Sequence, residues 1–408
     1  MRVLLSTIGS RGDVQPLVAL GLHLRALGHD VRLCVPPDFA AWIASLGFQV
    51  TPIGPHLRAM ATASPAAGPP TPAQRRQMIE DTVATQFETI AAAAAGCELI
   101  VGATALQIAA PSVAERLRVP YVFVAYCPAV LPSSHHAPPV LGTLGDTPQA
   151  ADSGALWRQD ARRWNESWAA PLNARRAALG LAPVADVRGH VLTDRPWLAA
   201  DPTLAPWPEP ADPAVVQTGA WLVEDQRPLA PELEAFLAAG PPPVFFGFGS
   251  LRAPHDLASV MVSSARALRR RAIVARGWAG LSLAADAPDC LVVDEVNQRA
   301  LFKRVAAVVH HGGAGTTTTA ALAGVPQVII PQLYDQHYWA RRVHQLGIGC
   351  AHAPGAPTTD SLTQAVAQAL QPEVAERAQA VGALVRTDGA ATAAHRLVAR
   401  QRQAALVR

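Results

Sequence analysis

Two doubly wound α/β domains that face each other across a cleft are the fold class that this sequence predicts. Its 408 residues exceed one typical core and suit two domains of about 200 residues each. In both halves, short and nearly continuous apolar runs alternate with helical patterns, which is typical of strands buried on both faces of a parallel sheet. A proline-dense middle separates the halves, because proline sustains neither a helix nor an interior strand.

The N-terminal half reads as strand, helix and strand from its first residues. Leucines recur at helical spacing from Val14 to Leu27, and Gly28 ends that helix. The strands expected here are Val3 to Ile8, Val31 to Val35, Leu99 to Gly102 and Tyr121 to Ala125. We therefore expect a first Rossmann-like domain over residues 1–220.

The C-terminal half repeats this scheme after a linker that we place at residues 221–242. Its expected strands are Val244 to Phe248, Ala272 to Ala275, Leu291 to Val293, Ala306 to Val309 and Gln327 to Ile330. This pattern predicts a second Rossmann-like domain over residues 243–385. The chain from Asp360 onward reads as helical throughout, and residues 386–408 are expected to pack back on the first domain.

Composition narrows the class of protein. Apolar residues make up 50 % of the chain, charged residues 16 %, and the net charge is only +3, so neither disorder nor nucleic-acid binding is indicated. The five cysteines are widely spaced, with no pair that suggests a disulfide framework or a zinc site. The sequence has neither a signal-peptide pattern nor a run of ~20 apolar residues. A cytoplasmic enzyme without a transmembrane segment is expected.

The most informative motif is VVHHGGAGTTTT, from Val308 to Thr319, which reads as a strand, a glycine-rich turn and the start of a helix. Glycines let the backbone turn tightly and approach a ligand. The free N–H groups and the dipole of a helix N-terminus favour a phosphate, and His310 or His311 adds a possible donor. The alternative is a tight strand-to-helix connection without a ligand.

Two acidic motifs are expected at the same cleft. Gly9 to Asp13 follow the first strand, and Asp13 suits either a general base or an N-cap of the next helix. Pro331 to Gln336 follow another strand, where Asp335 and Gln336 suit sugar hydroxyls, or Asp335 caps the following helix. The glycine spacing after the first strand does not fit a dinucleotide fingerprint.

Three further segments are candidates for contact with an acceptor. Six of the nine tryptophans lie between Trp157 and Trp221, together with several arginines. We favour packing of an interdomain helical region for these tryptophans and a solvated face for the arginines, over a hydrophobic acceptor pocket. The long loops Pro55 to Pro72 and Pro128 to Pro148 are also candidates, since binding surfaces usually lie on such loops.

Taken together, segments along essentially the whole chain resemble the inverting GT-B glycosyltransferases that modify glycopeptide antibiotics and sterols, within the UDP-glycosyltransferase superfamily. The matching segments are STIGSRGDVQPLVALG near the N terminus, FGFGS, RGW, VDEVNQRALF, HHGGAGTT, and GVPQVIIPQLYDQ ending at Gln336. The resemblance implies a donor nucleotide sugar held mainly by the C-terminal domain and an acceptor held by the N-terminal domain.

The resemblance also implies roles for individual residues. Asp13 matches the catalytic base, Val296 lies where the backbone meets the nucleobase, and Asp335 with Gln336 matches the pair that holds the donor sugar. The positions that match the donor diphosphate site are Ser10, Ser250, His310, Gly312, Gly313, Gly315 and Thr316. The base-stacking tryptophan of plant relatives is missing, so Trp278 is expected either to stack on the base instead or to be part of the core.

The sequence thus predicts an inverting transfer of a hexose or deoxyhexose from a UDP- or dTDP-sugar to a hydroxyl of a small lipophilic or natural-product aglycone. No D-x-D triplet occurs, so neither a metal nor another cofactor is expected. A sugar-nucleotide epimerase of the same fold and a non-catalytic sugar-nucleotide-binding protein are the alternatives. A nicotinamide oxidoreductase is disfavoured by the glycine spacing.

Overall fold

Two parallel β-sheets, one in each half of the chain, form the framework of the protein. The computed structural model describes residues 1–62, 70–104, 106–139, 152–209, 214–250, 257–282, 287–353 and 355–406. The two-sheet α/β architecture predicted from the sequence is confirmed.

The N-terminal sheet has seven strands in the order β3-β2-β1-β4-β5-β6-β7, and the pairings are parallel. These strands are β1 Arg2–Thr7, β2 Asp30–Val35, β3 Gln49–Pro52, β4 Leu99–Ala103, β5 Tyr121–Ala125, β6 Trp197–Leu198 and β7 Val216–Gln217.

The C-terminal sheet has six strands in the order β10-β9-β8-β11-β12-β13, again with parallel pairings. They are β8 Val244–Gly247, β9 Ala272–Ala275, β10 Cys290–Val293, β11 Ala307–His310, β12 Gln327–Ile329 and β13 Gly349–Ala351. In each sheet the chain winds first to one side and then to the other. The winding direction therefore changes between β1 and β4 and between β8 and β11, where open α/β sheets bind ligands at the strands' carboxyl ends.

Helices connect the strands. Those of the first half are α1 Arg11–Ala26, α2 Ala40–Ser45, α3 Leu57–Thr62, α4 Pro72–Ala93, α5 Ala110–Leu117, α6 Ser153–Ala178 and α7 Val187–Leu192. The proline-dense segment, where no helix was expected, contains α8 Pro231–Ala238, because proline is tolerated at the first helical position. Its Leu233 and Leu237 pack on the core of the C-terminal half. Those of the second half are α9 Leu257–Ala267, α10 Gln298–Leu301, α11 Ala314–Leu322, α12 Gln336–Gln345, α13 Thr359–Ala369, α14 Pro372–Gly382 and α15 Gly389–Leu406. Short 3₁₀ turns lie at Pro37–Phe39, Pro128–Val130 and Phe302–Arg304.

The predicted strands are confirmed with ends shifted by at most one residue, while β3, β6, β7 and β13 were not predicted. These four strands have two to four residues each, too few for a periodic pattern to be read. The C-terminal segment is three helices and not one continuous helical stretch. Its first break comes just before Pro372, which stands at the first position of α14, where proline is tolerated.

The last helix, α15, packs against α1 of the N-terminal half. Its Ala390, Ala393 and Leu397 belong to the same buried cluster as Val14 and Leu17. Gln401 on α15 donates a hydrogen bond from Nε2 to the Glu98 carbonyl at 3.0 Å. The domain limits drawn from the sequence stay a prediction.

The chain crosses between the two halves at a tightly packed point. The Arg386 N–H donates to the fully buried Asp201 carboxylate at 2.9 Å, beside two donors from the N-terminal half. Gly219 has a φ of 94°, and a side chain there would come within 3.1 Å of the Gly389 backbone. This crossing joins the two sheets whose strand ends carry the candidate site.

Candidate functional site

The loops at the carboxyl ends of both sheets meet in a cleft between the halves. Arg11, in the turn after β1, donates from Nη1 to both carboxylate oxygens of Glu295 at 3.0 Å. The ring of Phe39 stacks on Trp278 with 6.1 Å between centroids. Both contacts cross the cleft: the start of α1, after β1, faces the loop after β10, and the turn after β2 faces the loop after β9.

Asp13 lies in the first turn of α1, which begins three residues before the predicted start. Ser10 occupies the N-cap, so the N-cap alternative for Asp13 is wrong as stated. Asp13 instead accepts hydrogen bonds from Ser10 N at 2.6 Å and Ser10 Oγ at 3.1 Å, both through Oδ2. This is the acidic half of a capping box. Asp13 thus supports the helix and still faces the cleft.

Burial raises the pKa of Asp13 to about 6, although its hydrogen bonds with Ser10 act in the opposite direction. Tyr126, which directly follows β5, donates from its hydroxyl to the Asp13 carbonyl at 3.0 Å and so holds the first turn of α1. Desolvation and the Asp13 charge together raise the pKa of Tyr126, which stays protonated. A carboxylate with a pKa near 6 suits proton removal at neutral pH.

The glycine-rich turn leads from β11 directly into α11. Gly312 has a φ of 93°, and a Cβ there would lie 2.7 Å from the Ile329 side chain. Gly313 is the N-cap and, lacking a side chain, leaves the first N–H groups of α11 uncapped. A Cβ on Gly315 would meet nothing within 4 Å, so the backbone there is open to the cleft. This helix N-terminus is arranged for an anion.

The threonines of α11 differ in how their hydroxyls are used. Those of Thr317, Thr318 and Thr319 donate to the carbonyls four residues earlier at 2.8–2.9 Å. Among the described residues, the Thr316 hydroxyl makes no hydrogen bond, and Thr316 is partly exposed. Thr316 is therefore the member of the series with a free hydroxyl at the helix start.

His310 lies beneath the turn and is fully buried. Its Nδ1 accepts from Gly312 N at 3.1 Å, so Nε2 carries the proton and donates to Gln327 Oε1 at 2.9 Å. Burial and the neighbouring His311 lower the pKa of His310 to about 3. Because both ring nitrogens are used within the protein, His310 holds the turn in place.

His311 is the histidine that faces the glycines. A Cβ on Gly313 would come within 2.7 Å of its Nε2, and one on Gly249 within 3.2 Å of its Cε1. Burial lowers the pKa of His311 to about 4, with the Gly247 backbone acting in the opposite direction. Of the two histidines left open by the sequence, His311 has the ring beside the helix N-terminus.

Asp335 and Gln336 stand at the start of α12. Asp335 occupies the N-cap, but its side chain makes no capping hydrogen bond and accepts from Trp339 Nε1 at 3.2 Å. Burial and the negative charge of Asp13 raise the pKa of Asp335 to about 7. Gln336 accepts from Gln332 N and Leu333 N through Oε1, so its amide also holds the preceding turn.

The remaining predicted donor residues lie at the ends of β8, β9 and β10. Ser250 is partly exposed after Gly249, whose carbonyl accepts from Trp278 N at 2.9 Å. Trp278 is partly buried and packs against the N-terminal core cluster and Phe39. Val296 is partly buried, and the next residue, Asn297, donates to the carbonyls of residues 225 and 227.

The tryptophan-rich segment is largely packing. Trp157, Trp197, Trp207 and Trp221 are buried, and the ring of His136 makes edge contacts with Trp157 and Trp207. The expectation of a solvated arginine face is wrong for one residue, because Arg176 is buried and binds Ser112 and Glu115. The acceptor-loop predictions at residues 63–69 and 140–148 lie outside the described residues.

Sequence reasoning missed several residues of this site. Tyr334 has a φ of 54°, which a bulky residue rarely adopts, and no sequence pattern reports backbone strain. Arg11 lies within the motif from Gly9 to Asp13, but its partner Glu295 is far away in the sequence.

No helix of the described chain is long and apolar enough to cross a membrane. Where residues are described, no three His, Cys, Asp or Glu are grouped to hold a metal ion.

Comparison with known protein families gives two matches. The model described as "Glycosyltransferase family 28 N-terminal domain" matches residues 3–133. That described as "Erythromycin biosynthesis protein CIII-like, C-terminal domain" matches residues 261–403. Together they cover both candidate catalytic turns.

Three relatives come from Amycolatopsis orientalis. Glycosyltransferase GtfE is 50 % identical over 403 residues, and vancomycin aglycone glucosyltransferase is 50 % identical over 400 residues; each comparison covers 98 % of this chain and 97 % of the relative. dTDP-epi-vancosaminyltransferase is 42 % identical over 389 residues, 93 % of each chain.

Among solved structures, the glycotransferase of kitacinnamycin superposes with a TM-score of 0.72. It shares 21 % identity and is matched over 98 % of both chains. At that identity the likeness shows the fold, two parallel-sheet domains with a cleft between them.

Proposed function

Because this chain belongs to the glycosyltransferases of GT-B fold, as its motifs predicted, we propose that it transfers a sugar from UDP- or dTDP-sugar to an aglycone hydroxyl with inversion. The acceptor is a small lipophilic or natural-product aglycone, which the vancomycin aglycone glucosyltransferase among its relatives supports. The observation that carries the proposal is a carboxylate of raised pKa, Asp13, across the cleft from an uncapped helix N-terminus.

Asp13 acts as the general base. It removes the acceptor's hydroxyl proton while the hydroxyl oxygen bonds to the anomeric carbon from the face opposite the diphosphate. The bond from that carbon to the diphosphate oxygen breaks, and the nucleoside diphosphate leaves. With a pKa of about 6, most of Asp13 is ionised at neutral pH and ready to accept the proton.

The N-terminus of α11 stabilises the charge that grows on the diphosphate. Its uncapped amides and the free Thr316 hydroxyl supply donors, and we assign the histidine contact to His311 in place of His310, since both nitrogens of His310 are occupied. Ser250, in the loop after β8, completes this set. Ser10 is left out, because its N–H and its Oγ both donate to Asp13.

Asp335 and Gln336 hold the donor sugar. The Gln336 Oε1 is engaged with its own turn, so its Nε2 is the group left for a sugar hydroxyl, beside the Asp335 carboxyl. Val296 and Trp278 are the candidates for the nucleobase. One relative is named dTDP-epi-vancosaminyltransferase, so dTDP-sugars are candidate donors beside UDP-sugars and both are tested. No metal or other cofactor is proposed.

The test incubates the protein with UDP-glucose or dTDP-sugars and vancomycin aglycone, and follows products by mass spectrometry. Transfer should require the acceptor, and the product should carry the anomeric configuration opposite to the donor's, which coupling constants in the NMR spectrum report. Release of free nucleoside diphosphate with no glycosylated product would favour an epimerase-like reaction. Binding without any turnover would favour a non-catalytic role.

A further inference from the structure

The turn between β1 and α1 is built around one oxygen of the Asp13 carboxylate. Ser10 N donates to Asp13 Oδ2 at 2.6 Å, and the Ser10 hydroxyl donates to the same oxygen at 3.1 Å. A Cβ on Gly9 would overlap Oδ2 and Cγ of this carboxylate, so glycine is the residue that leaves room for it. Oδ2 is thus enclosed by the turn and bonded twice.

Two further capping boxes, at α4 and α13, show the ordinary use of an N-cap hydroxyl. At α4, Thr71 Oγ1 accepts from Gln74 N at 3.2 Å, and at α13, Thr358 Oγ1 accepts from Ser361 N at 3.1 Å. In both, the hydroxyl satisfies a backbone N–H of the helix. The Ser10 hydroxyl differs, because it donates its proton to a side chain, and that side chain is the proposed base.

The two donors on Oδ2 decide which oxygen of Asp13 takes a proton. A proton on Oδ2 would stand against the two hydrogens that already point at it, whereas a proton on Oδ1 leaves both hydrogen bonds in place. A hydrogen bond to a charged group is stronger than one to a neutral group, so the Ser10 hydroxyl favours the ionised carboxylate. It opposes burial, which raises the pKa of Asp13 to about 6. Arg11, the next residue, is paired with Glu295.

Three other titratable groups face Asp13 from the elements around it. Tyr126 follows β5, while Tyr334 and Asp335 come at the start of α12. Burial raises the pKa of each of the three, and the negative charge of Asp13 adds to that rise. Within the described chain, none of them is hydrogen-bonded to Ser10, whose N–H and hydroxyl both reach Asp13. A substitution of Ser10 therefore acts on the ionisation of the site through Asp13.

From this geometry we propose that Ser10 is a positioning residue of the base, which holds Oδ2 of Asp13 and leaves Oδ1 to take the acceptor's proton. The inference rests on the proposed function. The proton moves from the acceptor hydroxyl to Oδ1, while both hydrogen bonds from Ser10 to Oδ2 persist. Because its hydroxyl is committed to the carboxylate, Ser10 does not bind the diphosphate, the role that the resemblance implied.

Ser10→Ala tests this role through the pH profile of kcat/KM for the acceptor, with vancomycin aglycone and UDP-glucose or the best dTDP-sugar. The variant loses the hydroxyl's hydrogen bond to the ionised carboxylate and keeps the one from the backbone. Its acidic limb should therefore move up by ~1 pH unit, which makes its activity at pH 5 ~10-fold lower than that of wild type. At pH 8.5, where Asp13 is ionised in both proteins, the activities should agree within about threefold. Ser10→Thr, which keeps a hydroxyl, should return the limb to its wild-type position.

Thr358→Ala is the matched control, because it removes the hydroxyl of the capping box at α13. It should lower the melting temperature by a few degrees, as Ser10→Ala does, but leave the acidic limb in place. Equal shifts of the limb in both variants would overturn the proposal, since loss of helix capping would then explain them.

An acidic limb of Ser10→Ala at the wild-type position would also overturn the proposal. If calorimetry then shows a ~10-fold loss of UDP or dTDP affinity, Ser10 belongs to the diphosphate site. Should Ser10→Ala fail to fold, Ser10→Gly decides instead, because glycine at the N-cap costs a helix little and also lacks the hydroxyl.

The failure of the proposed function is distinguishable from the failure of this role. If the wild type transfers no sugar, NMR titration of carbon-13-labelled aspartates still measures the pKa of Asp13, with Asp13→Asn to assign its signal. A pKa that is ~1 unit higher in Ser10→Ala than in wild type would support the role of Ser10 without any turnover. The same pKa in both proteins would contradict it.

Discussion

The turn from β1 into α1 and the turn from β11 into α11 lie on opposite sides of the cleft and differ in what meets the helix N-terminus. Both helices have glycine at their second position, Gly12 and Gly315. In the first turn of α1, the Asp13 carboxylate accepts from the backbone of Ser10. The first turn of α11 has no acidic residue and no capping side chain.

This difference gives the N-termini of α1 and α11 separate roles in the site. The negative charge at α1 belongs to the protein, so that helix end holds a carboxylate in position. At α11 the amides are left for an anion from outside, the role that we give to the diphosphate.

Replacing the carboxylate of α1 should have the largest effect. Asp13→Asn keeps an oxygen that can accept from Ser10 but cannot take a proton, so turnover should fall ~100-fold or more. Steady-state kinetics measure the loss, and calorimetry with UDP or dTDP should show donor affinity near wild type. Turnover within about threefold of wild type would reduce Asp13 to its capping role.

Substitutions of Gly315 and of Gly12, the matched position, test whether the uncapped N-terminus of α11 binds the diphosphate. Gly315→Val places a side chain where the diphosphate is proposed to lie and meets no protein atom, so nucleoside diphosphate affinity should fall ~30-fold in calorimetry. Gly12→Val, at the equivalent position of α1, is also unobstructed by backbone and should change that affinity less than about threefold. Similar losses of nucleoside diphosphate affinity in both variants would contradict the assignment of anion binding to α11 and not α1.

We expect His311 to contact the diphosphate and His310 to hold the glycine-rich turn in place. His311→Ala should weaken nucleoside diphosphate binding ~10-fold, since one charge-assisted donor is lost, with little change in melting temperature. If His310→Ala gives the larger loss of affinity while its melting temperature is normal, the assignment of the diphosphate contact returns to His310.

The last prediction concerns stability and not activity, namely its dependence on pH. Folding lowers the pKa of His310 to about 3, so below its unfolded value of 6.5 the unfolded chain binds one more proton there. This histidine therefore lowers the free energy of unfolding as the pH falls from 6.5, by up to about 1.4 kcal/mol per pH unit. Urea titrations between pH 6.5 and 4 should show a slope reduced by that amount in His310→Gln. An unchanged slope would mean that the ring is charged when folded.

Much of this fold could be predicted because buried parallel strands such as Val31 to Val35 are continuous apolar runs, and glycine marks where turns must be tight. The same logic placed Asp13, Gly315 and Asp335 after strands. The short strands β6 and β7 could not be read, since two residues carry no periodicity.

Contacts between residues far apart in the chain could not be predicted from the sequence. Nothing local separates His310 from His311, and only the partner Gln327, on the neighbouring strand, shows which ring is occupied. Such roles follow from tertiary packing.

The most direct test of the central claim is the pH profile of kcat/KM for the acceptor in wild type and Asp13→Asn. Because the base must be ionised and its pKa is raised to about 6, wild-type activity should fall below pH 6, approaching tenfold per pH unit. The residual activity of Asp13→Asn should lack this decline. An Asp13→Asn profile with the same decline and near wild-type activity would contradict the claim that Asp13 takes the acceptor's proton.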